Sequence, residues 1–258
     1  MSASHSWNGY HWGRISNPLK LTINTKITPE WNVAIGTAVS DWDGSLVLAL
    51  TARTAPAATD PKRCSPIAGQ ILVCNAAYGN RGWLGIASIW VTSGHITQGT
   101  TKLNDSYFNS PPYNTAAWRA LVSCQEIGHD FGLGHQDEDF NNANFDTCMD
   151  YTNSPATNQH PNLHDYQMLD TIYAHTTDTA NTSTTQATNF GVRQFGKPVP
   201  RGPAGEAPSG DSPAEWGRAI HSDGLGRPDV FEKLIAPGQT MVTHVFWAMG
   251  EGQRNSHQ

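Results

Sequence analysis

The run Gln125-Glu126-Ile127-Gly128-His129-Asp130-Phe131-Gly132-Leu133-Gly134-His135 constrains this chain more than any other stretch. Side chains four residues apart lie one above the other on a helix face. Gln125 and His129 have that spacing, and Glu126 projects from the same turn. Gly132 follows one turn later, and glycine adopts backbone conformations that strain other residues. The chain can therefore leave the helix sharply there and bring His135 round towards the first two positions. Three protein donors and one open position are the pattern of a catalytic zinc. On this reading Gln125, His129 and His135 are metal ligands, and Glu126 reaches a metal-bound water.

The surrounding segments predict an α+β architecture. Alternating apolar and polar residues predict a strand over 19–27. Thr28-Pro29-Glu30 opens a helix, with Trp31, Ile35, Ala38, Val39 and Trp42 inward and Asp43-Gly44 as its stop. Further strands are expected at 46–51 (buried), 71–75, 84–92 and 95–103. Residues 114–131 predict the motif-bearing helix. Residues 163–175 predict another, with Leu163, Tyr166, Leu169, Ile172 and Tyr173 on one side.

The motif resembles that of the metzincin zinc proteases, H-E-x-x-H-x-x-G-x-x-H. Glu126, His129, Gly132 and His135 match it, and Gln125 stands where that family has histidine. Downstream, Cys148-Met149-Asp150-Tyr151 resembles the metzincin Met-turn, with a tyrosine placed as in astacins and serralysins. The order of strands and helices over 7–175 is similar to a matrixin-like catalytic domain. The resemblance implies a zincin-type domain with a twisted mixed sheet, an active-site helix, a Met-turn and a C-terminal helix. It implies a secreted zinc endopeptidase in which Glu126 takes a proton from water and gives it to the leaving amine. Tyr151 would stabilise the oxyanion or bind zinc, and Met149 would floor the site. The peptide substrate would lie extended along an edge strand, 84–90.

The glutamine leaves alternatives open. A carboxamide oxygen is a poorer donor to zinc than imidazole. Gln125 ligates weakly, or His129 and His135 hold the metal with waters or Tyr151, or the site is empty and the domain is a silent binding module. Retention of Glu126 favours catalysis, because a binding module has no need of a general base.

The four cysteines allow three disulfide pairings. Sequence order favours Cys64–Cys74 and Cys124–Cys148. The second bond would staple the active helix to the Met-turn and contribute about 3 kcal/mol in the chain-entropy model.

Nearby polar residues invite blander readings. Asp137 suits a turn or a supporting contact behind His135 better than a ligand role. Residues 137–146 are rich in Asp and Asn, but no recognisable calcium loop is present, so a solvated loop is expected. His160 and His164 flank a helix start. Residues 61–64 superficially resemble the inhibitory cysteine segment of matrixin propeptides, but a structural disulfide fits Cys64 better. Asn104-Asp105-Ser106 and Asn181-Thr182-Ser183 are glycosylation sequons only in a eukaryotic source.

Composition sets the outer limits. A net charge of −6 argues against nucleic acid as main partner. No apolar run approaches membrane-spanning length, and no secretory signal opens the chain, although its surface composition reads as secreted. Residues 1–178 are expected to form the metzincin-like catalytic domain. Residues 179–214, rich in Thr, Pro and Gly, read as a linker. Residues 215–250 read as a small β-rich segment that stands alone or docks on the main body. A monomer acting on protein or peptide is the expected state.

Overall fold

The computed structural model describes residues 5–175, 178 and 210–252. Among them, nine strands form one mixed sheet. They are β1 (His11–Trp12), β2 (Leu19–Lys26), β3 (Leu48–Thr54), β4 (Ile71–Ala76), β5 (Trp83–Thr92), β6 (His95–Asn104), β7 (Arg218–Ser222), β8 (Pro228–Ala236) and β9 (Gln239–Trp247). The helices are α1 (Asn32–Asp43), α2 (Asp105–Phe108), α3 (Ala116–His129), α4 (Leu163–Ile172) and α5 (Pro213–Trp216). The sheet runs β3-β2-β4-β6-β5-β9-β8-β7, with β1 pairing β6. Strands β3, β2, β4 and β6 are parallel, and the β6-β5-β9-β8-β7 half is antiparallel. No helix among the described residues is long and apolar enough to cross a membrane.

Helices α1 and α3 share the main core with one face of this sheet. Trp31, Ile35, Ala38, Val39 and Trp42 of the first predicted helix are all buried in it. Its first turn, Pro29–Trp31, is 3-10 in character, and Thr28 makes no side-chain cap. Thr115 caps α3 through the Trp118 amide, and every residue from Leu121 to Gly134 is buried. An Asn162–Asp165 capping box opens α4.

Three expectations need correction. The strand expected at 46–51 begins at Leu48 and lies at the sheet edge, its outer half exposed. Leu46 is exposed because residues 45–48 complete a turn, in which the Leu48 amide reaches the Ser45 carbonyl. In α4, Leu163 also faces solvent; it stands at the N-terminal end, and packing begins one turn later with Tyr166, Met168 and Leu169. The third concerns β5, which is not an edge. Its outer side is paired with β9 from Thr92↔Gln239 to Trp83↔Trp247, so its backbone groups are not free to bind a peptide.

The strands β7–β9 continue the sheet, and Val230, Val242, Phe246 and Ala248 are buried in the main core. On the opposite face, Trp216, Phe231 and Val245 pack with Tyr78, Trp83 and Ile86. Most of the stretch read as a linker, and Asn181 with it, lies outside the described residues. Cysteine pairing follows sequence order: Cys64 bonds Cys74 and Cys124 bonds Cys148.

Candidate metal centre and active site

Helix α3 carries Gln125, Glu126 and His129 into the core, all with no exposure. The chain leaves the helix at Gly132, where φ is +92°. A Cβ there would collide with the Tyr10 carbonyl oxygen, so only glycine permits this turn. The turn brings the His135 ring to 4.8 Å from the His129 ring, edge to face. Met149 is buried beneath the helix; a Cβ on Gly128 would stand 2.7 Å from its sulfur. The Cys124–Cys148 bond fixes the same two segments together one residue away.

Both motif histidines are held in one tautomer. Nδ1 of His129 lies 2.8 Å from the Leu133 carbonyl oxygen, which can only accept, so this nitrogen carries the proton. Nδ1 of His135 lies 3.2 Å from a Glu138 oxygen. The lone pairs then reside on Nε2, and both Nε2 atoms are buried without a hydrogen-bond partner. Gln125 donates its amide nitrogen to the Cys148 carbonyl at 2.7 Å, leaving its Oε1 buried and unpartnered as well. Glu126 Oε1 is a fourth such atom. Buried polar atoms are almost always paired, so the orphans on Gln125, Glu126, His129 and His135 mark a place suited to another group; Asp130 Oδ1 is a fifth such atom in the same run. Ring packing holds the site still: Trp7 stacks on His129 with centroids 4.7 Å apart.

A residue the sequence reading missed completes the cluster. His244 on β9 is wholly buried, and its ring lies 4.1 Å from that of His129 and 4.8 Å from that of His135. Ligand atoms of His129, His135 and His244 all fall within 4.8 Å of one another. The available signal was a histidine between Val242 and Phe246, on the strand face that opposes Ala87 and Ile89.

His244 also links Glu126 to Tyr151. Its Nδ1 stands 3.1 Å from Glu126 Oε2, and its Nε2 2.9 Å from the Tyr151 hydroxyl. That hydroxyl donates to Asp229 at 2.8 Å, and the other Asp229 oxygen meets His221 Nδ1 at 2.8 Å. The result is a continuous chain from buried Glu126 to His221, whose side chain is 44% exposed.

Burial fixes the protons. It holds His129 and His135 well towards the neutral form and lowers His244 to about 4. It also raises Glu126 far above the usual carboxylate range, and Tyr151 above the usual phenol. Burial alone would raise Asp229, but the His221 hydrogen bond and nearby imidazoles hold it ionised. The Tyr151 proton therefore points to Asp229, His244 Nε2–H points to the tyrosine oxygen, and protonated Glu126 donates to Nδ1.

The remaining candidates are occupied elsewhere. Asp137 Oδ1 accepts from the Asp139 amide and the Asn142 side chain, a turn role. Within 137–146, Asp139 caps the Asn141 amide in the same way. His160 pairs with Asp41, and His164 lies in the first turn of α4. Asn104 is buried and donates to the Gly79 and Trp83 carbonyls, so its sequon is closed to a glycan. A cleft of about 340 Å³ borders the site, lined in part by His5, Trp7, Gly134, His135, Glu138 and His221.

No family model and no curated protein matches the chain. Among solved structures it is similar to high choriolytic enzyme 1, a hatching-enzyme zinc protease from Oryzias latipes (medaka). That likeness has 13% identity and a TM-score of 0.35, and covers 64% of this chain and 94% of that one. It is similar to myroilysin in one structure at 13% identity and TM-score 0.36, covering 66% and 98% of the two chains. A second myroilysin structure gives 12% identity and TM-score 0.35, covering 64% and 90%.

Proposed function

We propose that this chain is a secreted, zinc-dependent endopeptidase of the metzincin type whose active site is held closed by its own C-terminal strands. The observation that carries the reading is the set of buried, unpartnered donor atoms: Gln125 Oε1, His129 Nε2 and His135 Nε2, beside Glu126 Oε1. A neutral imidazole with its other nitrogen hydrogen-bonded is the form that binds zinc. Both motif histidines meet that condition. Bound zinc would supply an acidic water and polarise a peptide carbonyl. Glu126 would hold the proton taken from that water and deliver it to the leaving amine. Tyr151 would face the developing oxyanion, and Met149 would floor the site. The two disulfides suit an oxidising compartment.

In the closed form His244 adds a third imidazole and stands between Glu126 and Tyr151, where the reacting part of a substrate belongs. Strand β9 lies antiparallel on β5, in the way an extended peptide adds to a sheet edge. Displacing β7–β9 would free both the edge and the tyrosine, leaving the Gln125 oxygen as third protein donor.

The second reading is a catalytically silent metzincin-fold binding domain. The full burial of Glu126 and the packing of β9 into the main core favour it. Casein hydrolysis by the full chain and by a chain ending at residue 209, each loaded with zinc, separates the two. The endopeptidase reading expects the shorter, folded chain to be at least about tenfold more active, a difference of roughly 1.4 kcal/mol in barrier. No hydrolysis by either folded chain overturns it in favour of the silent domain. Zinc content tests the metal centre separately: His129→Ala with His135→Ala should cost one equivalent.

A further inference from the structure

Away from α3, three histidines and one carboxylate converge from separate parts of the chain. His11 is on β1, His95 opens β6, His175 follows α4, and Asp178 lies just beyond. The β1–β6 pairing sets His11 directly opposite His95. Asp178 Oδ1 lies 3.1 Å from His95 Nε2 and 3.1 Å from His175 Nε2. Asp178 Oδ2 lies 3.5 Å from His11 Nε2, and the Nε2 atoms of His11 and His175 are 3.1 Å apart.

We propose that His11, His95, His175 and Asp178 form a second, structural zinc site. All three imidazoles present the same atom, Nε2, to one point. Nδ1 of His11 is 2.8 Å from the Gly9 carbonyl oxygen, so it carries the proton and Nε2 carries the lone pair. Such a hydrogen bond behind the ring is the arrangement that orients a metal-bound histidine. The spacings also fit. Zinc bonds of about 2.0–2.1 Å at tetrahedral angles put ligand atoms roughly 3.3 Å apart; three separations here are 3.1 Å, and the one to the second carboxylate oxygen is 3.5 Å. A carboxylate with three imidazoles suits zinc over magnesium or calcium, which favour oxygen shells. Four protein donors leave no open position, so the site is structural.

Its location gives it a task. The next residue along β1, Trp12, donates its indole N–H to the Asp130 carbonyl at 2.8 Å, at the end of the motif helix. The Trp12 amide meets the Tyr173 hydroxyl, which donates to the Phe131 carbonyl at 3.0 Å. A metal joining His11 to His175 would lock the strand and the helix end that together brace the exit of α3. The Arg14 guanidinium reinforces this corner by donating to the His175 carbonyl at 3.1 Å.

The test uses the full chain carrying His129→Ala and His135→Ala, so that zinc at the motif does not contribute. After loading with zinc and desalting, it should retain one equivalent. Zinc should raise its unfolding temperature, and its cobalt(II) derivative should show the intense visible bands of tetrahedral coordination. Adding His95→Ala, or the milder Asp178→Asn, should weaken zinc binding at least about tenfold. It should also abolish the thermal shift. Absence of bound zinc from the folded parent double variant overturns the proposal, as does retention of that zinc, undiminished, after both further substitutions. Should His95→Ala fail to fold, Asp178→Asn and the cobalt spectrum decide by themselves.

Discussion

Nε2 of His244 lies 2.9 Å from the Tyr151 hydroxyl, although the two residues are 93 positions apart. This contact puts the C-terminal strand at the centre of the motif-bearing site. It brings a third imidazole beside His129 and His135. It also makes Glu126 a proton donor in the closed form, whereas the proposed hydrolysis requires it as a base. Opening the site to water would remove the burial that raises its pKa.

Glu126→Gln separates proton transfer from metal holding. The amide keeps the shape of the protonated acid but cannot take up a proton. In the chain ending at residue 209, casein hydrolysis should fall by about 10²–10⁴. Zinc content and the far-ultraviolet circular dichroism spectrum should stay as they were. Hydrolysis at the parental rate would remove Glu126 from the mechanism.

The buried imidazoles make the stripped protein sensitive to acid. His244 is lowered from 6.5 to about 4, so below pH 6.5 the unfolded chain binds a proton that the folded chain refuses. Stability is then lost as pH falls from about 6.5 to about 4, and His244 alone accounts for about 3 kcal/mol. His129 and His135 shift in the same direction and add to the loss. After removal of metal with a chelator, denaturant unfolding from pH 7 to 4 should show this decline. His244→Gln should flatten it by roughly 3 kcal/mol; an equally steep decline in the variant would mean that His244 titrates normally.

Local signals were readable where the chain itself enforces them. The i, i+4 spacing, Gly132 and the order of the cysteines each act through neighbours in sequence, and each has its counterpart in the structure. Leu46 and Leu163 misled because an apolar residue at the end of an element need not face inwards. His244 and Asp229 were not readable, since their roles depend on β9 pairing with β5 across more than a hundred residues. Strand character was visible within 215–250, but nothing local says which edge it joins. Reading β5 as an open edge followed from the same gap. The cluster of His11, His95, His175 and Asp178 escaped notice likewise, because its members share no spacing.

Gly132 offers a test of the turn. Alanine there must adopt a φ of +92° and push against the Tyr10 carbonyl. Backbone strain of this kind costs about 1–3 kcal/mol, and the collision adds to it. Gly132→Ala should therefore lower unfolding free energy by at least about 2 kcal/mol. It should also displace His135 and weaken zinc binding. A variant within about 0.5 kcal/mol of the parent would show that this backbone can relax freely.

Gln125→His tests the proposed ligand position. Gln125 and His129 lie on the same face of α3, and the Gln125 oxygen is buried with no partner. The amide nitrogen spends its hydrogen bond on the Cys148 carbonyl, so that acceptor is in place for an imidazole N–H. A histidine there should add a stronger donor to the set. The gain should be on the order of 1–3 kcal/mol, the scale of a charge-assisted hydrogen bond. Competition against a fluorescent chelator at fixed pH measures it, because histidine must be neutral to bind. The His95→Ala background confines the reading to the motif site. Activity need not rise in step, since the ring must fit where the amide now meets the Cys148 carbonyl. Tighter binding with unchanged fold would place residue 125 on the metal. Unchanged or weaker binding would mean that the Gln125 side chain serves only to tie α3 to the Cys148 segment.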